Sequence, residues 1–328
     1  MLAPETGGQL HMIILITGAA GMLGRTLAQA IAAGGLATDG MILADVLAPT
    51  APPAPFPITC LATDLAQPDA AARLITDRPD VIFHFAAIVS GQAEADFDRG
   101  YAINLDATRA LFDAIRAQPD YCPRVIFASS IAVFGAPLPD VIPDDFHLTP
   151  RSSYGTQKAM GELLLADLSR RGHANGIALR LPTICIRPGA PNKAASGFFS
   201  GILREPLAGK RVILPVRDTL RHWFASPRAA TGFFLHAAQL DTRRLDGQIT
   251  LNLPGLSATV ADQIAALQAH AGSDAVRLID RVPDPAISAI VESWPRAFTA
   301  TRARALGFQA DADFAAIIAA YVADNPVS

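Results

Sequence analysis

A short, almost wholly apolar run, Met12-Ile13-Ile14-Leu15-Ile16-Thr17, feeds straight into Gly18-Ala19-Ala20-Gly21-Met22-Leu23-Gly24, and Arg25 to Ala33 continues with helix-forming composition. No other segment restricts the possible folds as much. A β-branched strand that is apolar along its length has both faces covered, as in a parallel sheet flanked by helices. Glycines at the turn let the backbone bend sharply and lie close to a ligand, and the unpaired N–H groups that open the helix attract phosphate. Strand, turn and helix in that order predict a pyrophosphate-binding loop made of Gly18, Gly21 and Gly24 with the backbone of Met22 and Leu23. The spacing is G-x-x-G-x-x-G rather than G-x-G-x-x-G, which points away from lactate- and malate-type dehydrogenases. An ordinary strand–helix turn with incidental glycines is the competing account.

A second strand, Met41 to Ala44, ends at Asp45, close to the distance past the glycines at which a carboxylate binds an adenosine ribose diol. Such a carboxylate repels a 2′-phosphate, and no Arg or Lys follows before Arg73, so the expected cofactor is NAD rather than NADP. A strand-end Asp starting a turn would look the same. Ile58 to Ala62 is a third strand; Asp64, next to Leu65, can reach an adenine amino group or cap a helix. Asp80 to Ala87 is a fourth strand whose small terminal residues Ala86 and Ala87 would let a cofactor pass close to the backbone. A long helical pattern over Asp96 to Ala117 includes Asn104. Arg124 to Ser130 is a fifth strand, Tyr154 to Arg171 a helix with the apolar row Leu163, Leu164, Leu168, and Gly176 to Leu181 a sixth strand.

This alternation predicts an α/β fold, a Rossmann-type doubly wound parallel sheet. Beyond Pro182 the alternation weakens, and Arg187 to Ser196 reads as a loop. Short strands at Val212–Leu214, His222–Ala225 and Ile249–Leu253, with helices near 227–240, 259–271 and 312–323, predict a smaller C-terminal substrate-binding lobe over the carboxyl edge of the sheet. The expected division is a tail over 1–11, an NAD-binding domain over 12–181 to which 216–250 returns, and a substrate lobe from 182–215 and 251–328.

The 328 residues suffice for one large domain or two unequal ones. Basic and acidic residues nearly balance (27 against 30) with no basic block, so neither nucleic acid nor an anionic membrane is an expected partner. The longest uncharged stretch, Val46 to Thr63, holds five prolines and cannot form a membrane helix. Met1 to His11 lacks the features of a signal peptide and reads as a frayed tail, with Met12 as the functional start. Cys60, Cys122 and Cys185 are widely spaced, match no metal pattern and suit a reducing cytoplasm as buried thiols. No metal is expected.

Tyr154 and Lys158 are four residues apart, so on a helix the phenol and the ammonium share a face. A phenol of ordinary pKa about 10 becomes a base at neutral pH only beside a cation in a partly desolvated pocket. Ser129 and Ser130 end the fifth strand upstream and supply polar partners at the same sheet edge. The pair alone is equally consistent with a solvated helix edge.

Taken together, Gly18/Gly21/Gly24, Ser129-Ser130-Ile131-Ala132-Val133-Phe134-Gly135 and Tyr154-x-x-x-Lys158 resemble the extended short-chain dehydrogenase/reductase family over nearly the whole chain from Met12. The resemblance implies Ser130, five residues before Gly135, as the third catalytic residue; Phe134 stands where that turn usually has tyrosine. It also implies that Lys158 hydrogen-bonds the nicotinamide ribose and that Leu65, Asn104, Pro182 and Ile184 lie along the cofactor. Most extended members act on nucleotide-diphosphate sugars. Here Leu181 to Ile184, Arg187 to Ser196 and Arg221 to Arg228 depart from them and look like a branch that oxidises a four-carbon sugar acid at C2 with NAD.

On that resemblance Tyr154, as phenolate, takes the C2 hydroxyl proton while hydride moves to the nicotinamide, and Ser130 holds the reacting oxygen. Ser90, Thr183 and Asn192 are candidate donors to the substrate carboxylate, with Lys193 and Arg221 as charge partners. Lys193 in its loop could equally be solvated, and Arg221 could be a remnant of diphosphate binding. His84, His222 and Trp223 read as packed structural residues. One rival is a nucleotide-diphosphate-sugar 4-epimerase using the same triad. Dehydration is disfavoured because Ile131-Ala132, not Asp-Glu, follows Ser130. The other rival is a non-catalytic NAD(P)-sensing regulator, against which the intact Ser130, Tyr154 and Lys158 argue. The resemblance further implies a homodimer through the Asp96–Ala117 and Tyr154–Arg171 helices, although an apolar helix face packs equally well inside a monomer.

Overall fold

The computed structural model describes residues 12–189 and 196–325. Its strands in chain order are β1 (Ile13–Thr17), β2 (Gly40–Asp45), β3 (Ile58–Ala62), β4 (Val81–His84), β5 (Arg124–Ser130), β6 (Asn175–Leu181), β7 (Thr183–Ile184), β8 (Val212–Leu214), β9 (Arg221–Ala225), β10 (Thr250–Asn252), β11 (Leu256–Thr259) and β12 (Ile279–Arg281). Seven of them form one parallel sheet in the order β10-β6-β5-β4-β1-β2-β3. The order reverses between β1 and β4, and in such sheets the crevice at that point holds the ligand.

Both faces of this sheet are covered, which is why its strands are apolar throughout. Ile14, Ile16, Leu43, Phe83, Ile126 and Leu179 pack under Leu27 and Ile31 and under Phe233 and Phe234 of the Pro227–Gln239 helix. The alternate residues Leu15, Ile42, Ile82, Val125 and Phe127 pack under the Ala107–Ala117 and Ser153–Arg170 helices through Leu111, Ile115, Leu165 and Leu168. The second lobe has its own core, in which Phe199, Ile202, Phe224, Leu267 and Ile317 meet between two small sheets, β11-β9-β7 and β12-β8, and three helices.

Several sequence expectations shift. The Ile249–Leu253 segment joins the main sheet as β10, paired with β6 (Thr250 opposite Ala178), rather than the lobe. Ala303, Leu306 and Phe308 also return to the main core, because their apolar face fits against it. The expected Asp96–Ala117 helix is continuous from Phe97 to Ala117, with one wider turn over Ala102–Asp106. On the Ser153–Arg170 helix Leu163 is 63% exposed, and the buried stripe runs Lys158, Gly161, Glu162, Leu165, Leu168. Cys60 and Cys122 are exposed, since β3 is an edge strand and Cys122 lies in the turn before β5; only Cys185 is buried, and burial pushes its thiol up to about 12.

Two buried polar assemblies tie the elements together. Glu162 receives a forked pair from Arg180 (Nη2–Oε2 2.7 Å, Nε–Oε1 2.9 Å) and a hydrogen bond from Ser129, while Arg180 Nη1 donates to Asn252 on β10 at 3.1 Å. The second runs through His84. Thr108 spends its hydroxyl proton on the Asn104 carbonyl (2.8 Å), so its oxygen accepts from His84 Nε2 at 2.9 Å. His84 Nδ1 is then the acceptor for the Thr17 hydroxyl at 2.7 Å. The imidazole is neutral: burial, aided by the Lys158 charge, pushes it down to about 3. His222, buried against Phe199, is likewise pushed down to about 3 by burial.

Replacing Glu162 by Gln strands the Arg180 charge, so we expect a loss of about 3 kcal/mol in urea denaturation. Glu162→Met combined with Arg180→Leu should recover most of it, and an additive loss would contradict the pairing. The histidines add a pH dependence. An unfolded histidine of pKa about 6.5 binds protons that the folded one refuses, so stability is full above about pH 6.5 and falls toward about pH 3, by up to about 1.4 kcal/mol per pH unit for each. Urea midpoints from pH 7.5 to 5 should fall accordingly, and His84→Gln should remove its share of the slope.

Candidate active site

The glycine turn lies at the carboxyl end of β1. Gly18 has φ +72°, and a Cβ there would come within 2.7 Å of the Ala86 nitrogen. Only glycine lets the β1 turn sit against the Ala86–Ala87 turn that follows β4. Gly21 opens the Met22–Ala30 helix with no side-chain cap and no acidic residue in the first turn, so the amides of Met22 and Leu23 stay available to an anion, and Gly24 is buried behind them. Asp45, at the end of β2, is half-buried and accepts from the amides of Ala20 (3.0 Å) and Leu47 (3.2 Å). It braces the glycine turn and keeps carboxylate lone pairs free for a diol. A cradle with these features fits a dinucleotide, with Asp45 against a ribose.

Other expected cofactor residues take different positions. Asp64 forms a local turn with the Ala66 amide (2.9 Å), and Leu65 is buried in the core beside Leu15 and Ile42. Asn104 is 1% exposed and fully engaged: it accepts from the Ile88 amide (2.8 Å) and donates to Gln157 Oε1 (2.8 Å). It braces the Ala86–Val89 loop against the Tyr154 helix instead of facing the cleft. Pro182 and Ile184 are buried at the step from β6 to β7.

Ser130 ends β5, and its hydroxyl accepts from the Ala132 amide at 3.1 Å. The Ser153–Arg170 helix starts beside it, capped by Ser152, whose Oγ accepts from the Gly155 amide. A Cβ on Gly155 would come within 2.1 Å of the Ala132 carbonyl, so glycine after Tyr154 is what allows the helix to press against the Ser130 turn. That approach brings the Tyr154 phenol near enough to the Ser130 hydroxyl for the hydroxyl to favour its ionised form. Lys158, 2% exposed, points its ammonium over the Phe127 ring (4.8 Å) and the Tyr154 ring (5.7 Å) and makes no hydrogen bond among the described residues, leaving its donors for a ligand. Burial pushes it down to about 8, against the pull of Glu162 one turn further on. For Tyr154, burial raises the pKa, while the Arg187 charge and the Ser130 hydrogen bond lower it. The cation set against the phenol is therefore Arg187, with Lys158 lying over the ring.

Of the expected substrate residues, Thr183 is half-buried and bonded to His222 Nε2 at 2.6 Å, and Ser90 is half-buried at the start of the Ser90–Ala95 helix. Arg221 is exposed on β9. Asn192 and Lys193 lie outside the described residues. Sequence reasoning missed Glu162 and Arg187. The repeat of the four-residue spacing, Tyr154-Lys158-Glu162, was a visible signal for the first. Among the described residues there is no cluster of His, Cys, Asp and Glu able to hold a metal, and no helix long and apolar enough to cross a membrane.

Comparison with known proteins is consistent with this geometry. The profile of the NAD dependent epimerase/dehydratase family matches residues 14–244. Curated proteins named D-erythronate dehydrogenase from Cupriavidus necator and Haemophilus influenzae are 46% and 45% identical, covering 95% of this chain in each case and 98% and 99% of theirs. A solved nucleoside-diphosphate-sugar epimerase from Agrobacterium tumefaciens is 54% identical, covers 96% of this chain and 94% of its own, and superimposes with a TM-score of 0.93. The match of glycine turn, serine, tyrosine and lysine on one sheet edge, with relatives this similar over nearly the full length, makes the chain a member of the NAD dependent epimerase/dehydratase family.

Proposed function

We propose that the protein is an NAD-dependent dehydrogenase that oxidises D-erythronate at C2 to 2-dehydro-D-erythronate. The carrying observation is the convergence of Tyr154, Ser130 and Lys158 at the sheet edge, where the Ser130 hydroxyl acts on the phenol and the Lys158 ammonium lies over its ring. The two D-erythronate dehydrogenases of similar length support the substrate. NAD, when bound along the Gly18–Gly24 turn, supplies the hydride acceptor. The Tyr154 phenolate takes the proton of the C2 hydroxyl as the C2–H bond breaks and the C2=O bond forms, then passes that proton on to solvent. Ser130 donates to the same oxygen and so fixes the carbinol relative to the base. Lys158 directs its donors to the nicotinamide ribose, and the Asp45 carboxylate accepts from the adenosine ribose diol. Thr183 and Ser90 offer hydroxyls to the substrate.

The 54% identical structure named as a nucleoside-diphosphate-sugar epimerase supports a second reading, 4-epimerisation by the same triad. NADH absorbance with C4–C6 sugar acids, run beside an assay of C4 inversion of UDP-sugars, separates the two; inversion of UDP-sugars without NADH from any sugar acid would overturn the sugar-acid assignment. Tyr154→Phe should lower kcat by roughly 1000-fold while NADH binding stays within a few fold. Retained turnover would remove Tyr154 as the base. Exposed Phe97 (58%) and Leu163 (63%) on the helices expected to pair support a homodimer, which gel filtration at micromolar concentration should show.

A further inference from the structure

The chain turns sharply at Arg187, between β7 and the Gly197–Leu207 helix, and four hydrogen bonds fix that turn. The Arg187 amide donates to Ser200 Oγ (3.0 Å), its Nε to the Ile184 carbonyl (3.1 Å) and its Nη2 to Ser196 Oγ (3.3 Å). Arg204 Nη1 closes the turn by donating to the Arg187 carbonyl (2.9 Å). Arg204 has its own carboxylate, Glu205. Arg187 has none within ion-pairing distance among the described residues, and its Nη1 makes no hydrogen bond there. A guanidinium does not shed its proton, so this half-buried head is a rigidly aimed charge whose counter-ion must come from elsewhere.

The head is also near enough to Tyr154 for its charge to reach the phenol. Ser130 pairs in register with Leu181, and the chain runs from there through Pro182 and Thr183 to Arg187. Arg187 and Tyr154 act on one another electrostatically, the arginine favouring the phenolate. In a 2-hydroxy acid the carboxylate is bonded directly to the carbon that loses hydride, so its binder must sit within a few ångströms of the base. Arg221, by contrast, is exposed on β9 and is not among the charges that act on Tyr154.

We propose that Arg187 binds the substrate carboxylate and thereby selects 2-hydroxy acids over neutral polyols. This rests on the sugar-acid reading above. The planar fork matches a carboxylate, and a held fork loses little freedom on binding.

The test is steady-state NAD reduction by wild type, Arg187→Met and Arg187→Lys with D-erythronate and with its neutral amide. Arg187→Met should raise the KM for the acid roughly 100-fold, with a smaller change in kcat, and abolish the preference for acid over amide. The acidic limb of its kcat/KM profile should also move to higher pH, which a purely structural role would not produce. Should that variant melt early, Arg187→Lys decides: a rise of roughly tenfold in KM for the acid alone supports the assignment. Equal rises for acid and amide overturn it, as does an unchanged preference in Arg187→Met. Wild type that oxidises neither compound overturns the dehydrogenase reading itself, and the assignment with it.

Discussion

The Glu162 carboxylate holds the site in register. It lies one helical turn after Lys158, receives the fork of Arg180 on β6, and accepts from Ser129, the residue before Ser130. Arg180 is itself next to Leu181, the register partner of Ser130. One buried ion pair therefore sets the helix that carries Tyr154 and Lys158 against the strand end that carries Ser130. The pair is not a large source of net stability, because taking two charges out of water costs about as much as their attraction returns. Its contribution is geometric: with Asn252 satisfying the remaining Arg180 donor, alternative registers of helix on sheet leave a buried charge unmatched.

That framework explains how the site can be dry and still ionisable. Burial alone raises Tyr154 and lowers Lys158, pushing both toward their neutral forms. Each shift is opposed by a specific neighbour: Arg187 and Ser130 for the phenol, Glu162 for the ammonium. Proton transfer to a phenolate needs the phenol and its neighbouring ammonium poised near the working pH. The opposing pairs narrow that gap without opening the cleft to water. His84 stays neutral because it is buried and close enough to feel the Lys158 charge, with its two nitrogens bonded to Thr17 and Thr108. It adds no positive charge to a region that already has two cations.

The main sheet was legible because burial on both faces writes uninterrupted apolar runs into the sequence, as at Ile13–Thr17 and Val125–Ala128. Tyr154, Lys158 and the glycines were legible because their chemistry depends on local spacing. The rest depends on contacts that local patterns do not encode. Arg180 and Glu162 are separated by a helix end and a strand, and as single charges in apolar segments they obscure the periodicity: the buried stripe of the Ser153–Arg170 helix contains a lysine and a glutamate. β7, β8, β11 and β12 have between two and four residues, too few for alternation to show. β10 joined the main sheet because Leu251 is buried there and Asn252 meets Arg180, and neither fact is visible along the chain. Asn104 lay in a helical pattern that gave no sign of its two ends being taken by Ile88 and Gln157.

The two lobes are less separable than their two cores suggest. β6 ends at Leu181 and β7 begins at Thr183, so a single proline with restricted φ joins the strand beside Ser130 to the strand that carries Thr183. Thr183 is further held by His222 on β9 (2.6 Å), and Arg187 by its own backbone turn three residues beyond Ile184. These side chains hang from β7 and the turn that follows it, one residue beyond the end of the main sheet. Their spacing from Ser130 is then set by register, Ser130 to Leu181 on one side and Thr183 to Phe224 on the other. On the assignment proposed above, such a site discriminates by the spacing between the Arg187 head and the Tyr154 base, set before the substrate arrives, and pre-set positions of this sort lose the least conformational freedom on binding.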